Sequence, residues 1–138
     1  MSRDEAAPPS IPDELLDYDE DLVYTYKGER FTGTGYSDVS GHGRSEISYV
    51  DGMQHGVARD WYPSGVLKYE ASYRKNARHG ASREYREDGS LSVETIYEHG
   101  ILVSSTSYDE SGVVVDFHAI EECDPNFGYL QQLRKRFG

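Results

Sequence analysis

The chain has 138 residues and a formal net charge of −11, enough length for one small domain with a modest core. Hydrophobic residues make up 36%, below the usual globular share, and tyrosine accounts for 12 residues; burial therefore has to come in thin layers that cover a ring and leave its hydroxyl near water. No apolar run reaches the roughly 18 residues of a membrane-spanning helix, and the acidity argues against nucleic acid and anionic lipid as partners.

Residues 1–21 hold eight acids against Arg3 alone and are rich in proline. They lack the basic start and apolar stretch of a signal peptide. The single Cys123 excludes an internal disulfide and fits a reducing compartment, so a cytoplasmic location is expected. Residues 1–12 read as disordered and 13–18 as one helical turn. This acidic segment (1–21) is the first of three expected parts, followed by a repeat domain (22–120) and a capping segment (121–138).

The repeat shows first in tyrosine. Tyr49, Tyr73 and Tyr97 stand 24 residues apart. At the same spacing Gly56 meets Gly80, Trp61 meets Tyr85, Gly65 meets Gly89 and Leu67 meets Leu91, while Glu46, Glu70 and Glu94 form a series. Gly28 also meets Gly52. Fixed-period self-similarity marks a repeat array, here roughly four units over residues 24–120. Two turn signals recur within a unit. Asp51-Gly52, Lys75-Asn76 and His99-Gly100 end in residues that accept the positive φ of tight hairpins. The second series is Pro63-Ser64-Gly65, Glu87-Asp88-Gly89 and Glu110-Ser111-Gly112. Between turns the residues alternate: Leu67, Tyr69, Ala71 and Tyr73 share one strand face, with Lys68, Glu70 and Ser72 on the other. Each unit is thus a hairpin that cannot bury its own face, and stacked units form one continuous antiparallel meander. The tyrosine beat becomes an aromatic ladder with Tyr73 largely buried.

Residues 98–124 hold seven acids and no base. Asp124-Pro125 then reads as an N-cap followed by proline at the first helical position. Phe127, Leu130, Leu133 and Phe137 make a helical stripe, with Arg134–Arg136 at the negative end of the dipole. A short capping helix is expected to pack on the sheet.

Catalytic and metal chemistry find little support, and no cofactor is expected. His55, His79 and His99 lie near equivalent turns, but consecutive units are two strands, roughly 9–10 Å, apart. Zinc ligands sit within about 2.1 Å of their ion, so these histidines are read as turn residues. The glycine-rich "FTGTGYSDVSGHG" lacks the Gly-Lys-Ser/Thr end of a phosphate loop. Trp61 and Tyr62 differ: adjacent strand residues point to opposite faces, so one ring points outward. That ring is either an incidental surface aromatic or a binding anchor.

The units "YVDGMQHGVARDWYPSGVLKYEASY" and "YRKNARHGASREYREDGSLSVETIY" share the pattern Tyr-x-x-Gly-x-x-x-Gly, then an aromatic, Gly, Leu, Glu and Tyr. This pattern resembles the MORN-type repeats of bacterial YwqK-family antitoxins, and "YKGERFTGTGY" resembles the opening of such proteins. Asn76 departs from it by replacing a customary glycine, and Val113–Phe117 lose the Leu-x-x-Glu spacing. The resemblance implies an array of β-hairpins and neutralisation of a toxin by binding. The expectation is a mainly all-β protein: a single-layer antiparallel meander of about four 24-residue hairpins with a short C-terminal capping helix. Functionally, a non-enzymatic antitoxin or immunity protein is expected, binding a cognate basic protein toxin such as a nuclease. Candidate contact residues are Asp17, Asp19, Glu20, Asp21, Trp61, Tyr62, Asp109, Glu110, Asp116, Glu121 and Glu122. The acids would steer a cationic partner and act mainly on association rate. The alternatives are a structural scaffold built on the same sheet, a lipid-binding repeat protein, and acidity that serves solubility alone.

Overall fold

The computed structural model describes residues 8–137. Residues 1–7, part of the stretch expected to be disordered, lie outside the described residues. Strand β1 is Ser10–Pro12, followed by a 3-10 turn over Asp13–Leu15. Three short strands come next: β2 (Asp17–Tyr18), β3 (Tyr24–Tyr26) and β4 (Glu29–Arg30). The long strands are β5 (Gly33–Val39), β6 (Gly43–Val50), β7 (Met53–Trp61), β8 (Leu67–Arg74), β9 (Ala77–Tyr85), β10 (Leu91–Glu98), β11 (Ile101–Tyr108) and β12 (Val114–Ala119), before helix α1 (Pro125–Phe137). The large sheet has nine strands in the order β1-β5-β6-β7-β8-β9-β10-β11-β12, and β2-β3-β4 form a separate small sheet.

Four hairpins make the meander, as the repeat predicts. Asp51-Gly52, Lys75-Asn76 and His99-Gly100 each have both residues at positive φ, the type I′ geometry that matches strand twist. These turns stand at one end of the strands. At the other end the loop carbonyls and amides close on themselves: Tyr62 N–H donates to Val66, Arg86 N–H to Ser90 and Asp109 N–H to Val113, all at 2.8–2.9 Å.

Three expectations are corrected. Residues 10–12 are not disordered: β1 pairs with β5, and in parallel, because Ile11 packs on the core beside it. Residues 24–30 leave the meander for the small sheet. The Tyr24 N–H donates to the Gly52 carbonyl and the Gly52 N–H to the Phe31 carbonyl, so the small sheet docks on the first hairpin turn. Tyr73 is only half-buried; Tyr49, at 3% exposure, is the buried rung. Tyr49 is covered because the small sheet supplies a second layer. Tyr24 packs on its ring tilted and Phe31 edge-on, with centroids 4.9 and 5.8 Å away, and Leu16 and Ile47 join the cluster. Gly35 lies beneath this layer, where a Cβ would come 3.1 Å from Leu16 and 3.2 Å from Tyr49.

The helix follows expectation at both ends. The Asp124 carboxylate accepts the Asn126 amide at 2.9 Å, an N-cap contact. Leu130 is fully buried and Phe127 and Leu133 half-buried, so these three members of the stripe face the protein, while Phe137 at its end is exposed. Arg134 forks onto Glu98 at 2.8 and 2.6 Å, which holds α1 to the end of β10. No helix among the described residues is long and apolar enough to cross a membrane.

Candidate protein-interaction surface

The 24-residue period places like residues on every second strand of a cross-strand row, and each row has its own chemistry. Ile47, Ala58, Ala71, Ser82, Thr95 and Ser105 are successive cross-strand partners. This small-residue row sinks between larger neighbours, with Ala71 and Ser82 buried. The Ser82 hydroxyl finds no hydrogen-bond partner among the described residues.

On the opposite face Glu46, Arg59, Glu70, Arg83 and Glu94 are also successive partners. The repeat puts a carboxylate on β6, β8 and β10 and an arginine on β7 and β9, so the charges alternate. Glu70 is the hub: Arg59 and Arg83 each approach it at 3.4 Å and the Tyr85 hydroxyl donates to it at 3.3 Å. Arg83 also pairs with Glu94 at 2.8 Å. Hydrogen bonding to Glu94, then the attraction of its charge, raises the Arg83 pKa against the opposing effect of burial. With Arg44 on Glu46 at 2.8 Å, the three carboxylates are matched by three guanidinium groups, and such opposite-charge cross-strand pairs order this face of the sheet.

Long polar side chains stitch one unit to the next. Tyr62 donates its hydroxyl to the Tyr85 carbonyl at 2.7 Å, and Arg86, 24 residues on, donates to the Tyr108 carbonyl at 2.5 Å. Tyr62 is therefore half-buried and hydrogen-bonded, with Lys68 over its ring at 5.6 Å. Trp61 is half-buried at the end of β7. Asn76 shows why it departs from glycine. It keeps the positive φ of 71°, its Oδ1 accepts the Gln54 amide at 2.8 Å, and its Nδ2 donates to the Leu22 carbonyl at 3.1 Å.

The histidines cap turns. His55 Nδ1 accepts the Lys75 amide at 3.3 Å and His79 Nδ1 accepts the His99 amide at 3.0 Å. The expected separation of neighbouring histidines fails for one pair: the His79 and His99 rings lie 4.8 Å apart. They occupy different positions of the unit, strand and turn, and so become neighbours. Burial, then His99 and Arg74, lower the His79 pKa, with Glu98 opposing. No group of three or more metal-ligating side chains occurs among the described residues.

Residues 54–75, which span β7, its loop and β8, match the family model described as a MORN repeat variant. This one unit is of the MORN type. No curated protein matches the chain. Among solved structures it is similar to the crystal structure of accessory secretory proteins 1, 2 and 3 from Streptococcus pneumoniae, with 13% identity and a TM-score of 0.41. That likeness covers 91% of this chain and 23% of the other, so the chain spans well under two thirds of that structure's length.

The candidate acids fall into two groups. Asp17 lies on β2, and Asp19, Glu20 and Asp21 form the exposed β2–β3 loop. Asp19 already accepts the amides of Asp21 and Val23, so it shapes that loop. The second group follows the outer edge of β12. Asp109 and Glu110 stand in the loop before it, Asp116 on it, and Glu121 and Glu122 after it. Asp109 also accepts the Ser111 and Val113 amides, at 2.9 and 3.0 Å.

What sequence reasoning missed is the apolar surface between those acids. Val113, Val114, Val115 and Phe117 are 58, 53, 62 and 62% exposed. The signal was present as the loss of the Leu-x-x-Glu spacing over Val113–Phe117. Among the described residues no strand follows β12 in the sheet, and those side chains are left exposed.

Proposed function

We propose that this protein is a non-enzymatic antitoxin or immunity protein that binds and neutralises a basic protein toxin. The observation that carries this reading is the C-terminal end of the sheet, where the exposed apolar strand β12 carries Asp116 and is flanked by Asp109, Glu110, Glu121 and Glu122, within a stretch (98–124) of seven acids and no base. An apolar centre with a charged rim is the make-up of a protein-binding surface, and its sign selects a cationic partner. Acids and bases balance over residues 22–97, which leaves net attraction at the acidic flanks. A stack of hairpins stitched unit to unit is a rigid platform, and a preorganised binder loses little entropy on association.

Co-expression tests the reading. The product of the open reading frame adjacent to this gene is induced with and without the protein, and growth and co-purification are followed. Rescue of growth together with a stoichiometric complex is expected. A harmless neighbour, or rescue without any complex, overturns the proposal.

A further inference from the structure

The two edges of the large sheet differ in how they end. At one edge β1 is three residues long and ends in Pro12, and a short strand with proline is a poor template for further pairing. At the other edge β12 runs six residues without proline, and no strand follows it in the sheet order. Helix α1 does not shield it: Val114 to His118 are all exposed. A long apolar edge strand with open backbone groups is a site for adding a strand.

We infer that β12 captures an extended basic segment of a protein partner as a further strand of the sheet. This rests on the antitoxin reading for the partner's identity, while the strand geometry stands by itself. Register gives the pattern that the segment must carry. Asp116 pairs with Ser107 and His118 with Ser105, on the small-residue face; Phe117 pairs with Thr106 and Ala119 with Ser104, on the ladder face. A strand laid along β12 therefore places lysine or arginine beside Asp116 and an apolar side chain beside Phe117, alternating at the period of two. Asp109 and Glu110 at one end of β12, and Glu121 and Glu122 at the other, extend the attraction past both ends of the added strand.

A second copy of this chain is the poorer occupant. Antiparallel self-pairing in the register that sets Asp116 opposite Asp116 brings like charges face to face, which is destabilising. The two chains would also each bring a net charge of −11.

The test uses a short peptide of alternating lysine and valine, with a glutamate–valine peptide as its control. Binding to the full chain is measured by titration, and amide hydrogen exchange is followed residue by residue. The lysine peptide should bind, the glutamate peptide should not, and the amides of Val114–Ala119 should exchange at least about tenfold more slowly in the complex. Asp116→Lys and Phe117→Lys should each weaken binding by about tenfold or more, whereas Asp17→Lys on the small sheet should leave it unchanged. Three results overturn the inference: binding with no added protection in β12, an Asp17→Lys loss equal to that of Asp116→Lys, or a dimer in sedimentation that Phe117→Lys dissolves. Its failure is separable from that of the antitoxin reading. Growth rescue that survives Asp116→Lys/Phe117→Lys removes the edge and keeps the antitoxin. A peptide held on β12 without growth rescue does the reverse.

Discussion

The first and last hairpins of the large sheet are built from the same repeat and live in different surroundings. Around β5–β7 the sheet has a second layer, so Tyr49 meets Tyr24 and Phe31 and is almost wholly buried. At β11–β12 the same face is left open, with Asp116 and His118 exposed, and so is Phe117 on the opposite face, at 62%. Between them the rungs are less covered than Tyr49. Tyr73 and Tyr97 are half-buried and share Arg78, whose guanidinium lies 3.5 and 3.0 Å from their hydroxyls. The Tyr73 hydrogen bond is the main reason that the Arg78 pKa is raised. The lesson is that an equivalent position in a repeat sets a direction, not a burial. Stability gathers at the covered end and leaves the uncovered end available for binding.

The sharpest way to break this comparison is to truncate the two outer rungs. Tyr49→Ala should destabilise by about 3–5 kcal/mol, the range for large aromatic truncations in a core, while Tyr97→Ala should cost about 1–2 kcal/mol, as a half-exposed site does. Denaturant melts read both, and equal losses would refute a graded sheet. Next in size is Gly35→Val, expected to cost about 1–3 kcal/mol because added atoms at that position meet Leu16 and Tyr49. Asn76→Gly tests the stitch between the β8–β9 turn and the N-terminal layer. It keeps the turn and removes two hydrogen bonds, for a loss of about 1–2 kcal/mol. Unchanged melting would mean that the stitch contributes nothing.

A smaller effect depends on pH. His79 must be neutral at Nδ1 to accept the His99 amide, and its folded pKa lies below its unfolded value. Its contribution is therefore full above about pH 6.5 and is lost as pH falls from there through the folded pKa. Thermal melts from pH 7 to pH 5 should show a downward slope that His79→Ala flattens; an identical slope in the variant would exclude this histidine. The smallest change is a gain. Ser82→Ala removes a buried hydroxyl without a partner and should raise stability by up to about 1 kcal/mol.

The sequence by itself determined the hairpins, their turns and the helix. Glycine, asparagine and aspartate at residues 51–52, 75–76 and 99–100 permit positive φ, alternation assigns faces, and Asp124-Pro125 starts α1, all through interactions within a few residues. The charge ladder was legible too, since Glu46, Glu70 and Glu94 keep step with Arg59 and Arg83. Only the tertiary structure decided which rung is buried, that Tyr62 spans to Tyr85, that Asn76 reaches Leu22, and that β12 is left open. Those outcomes depend on which strand lies next and whether a second layer covers it. Residues far apart in the chain set both, through contacts that no local periodicity encodes.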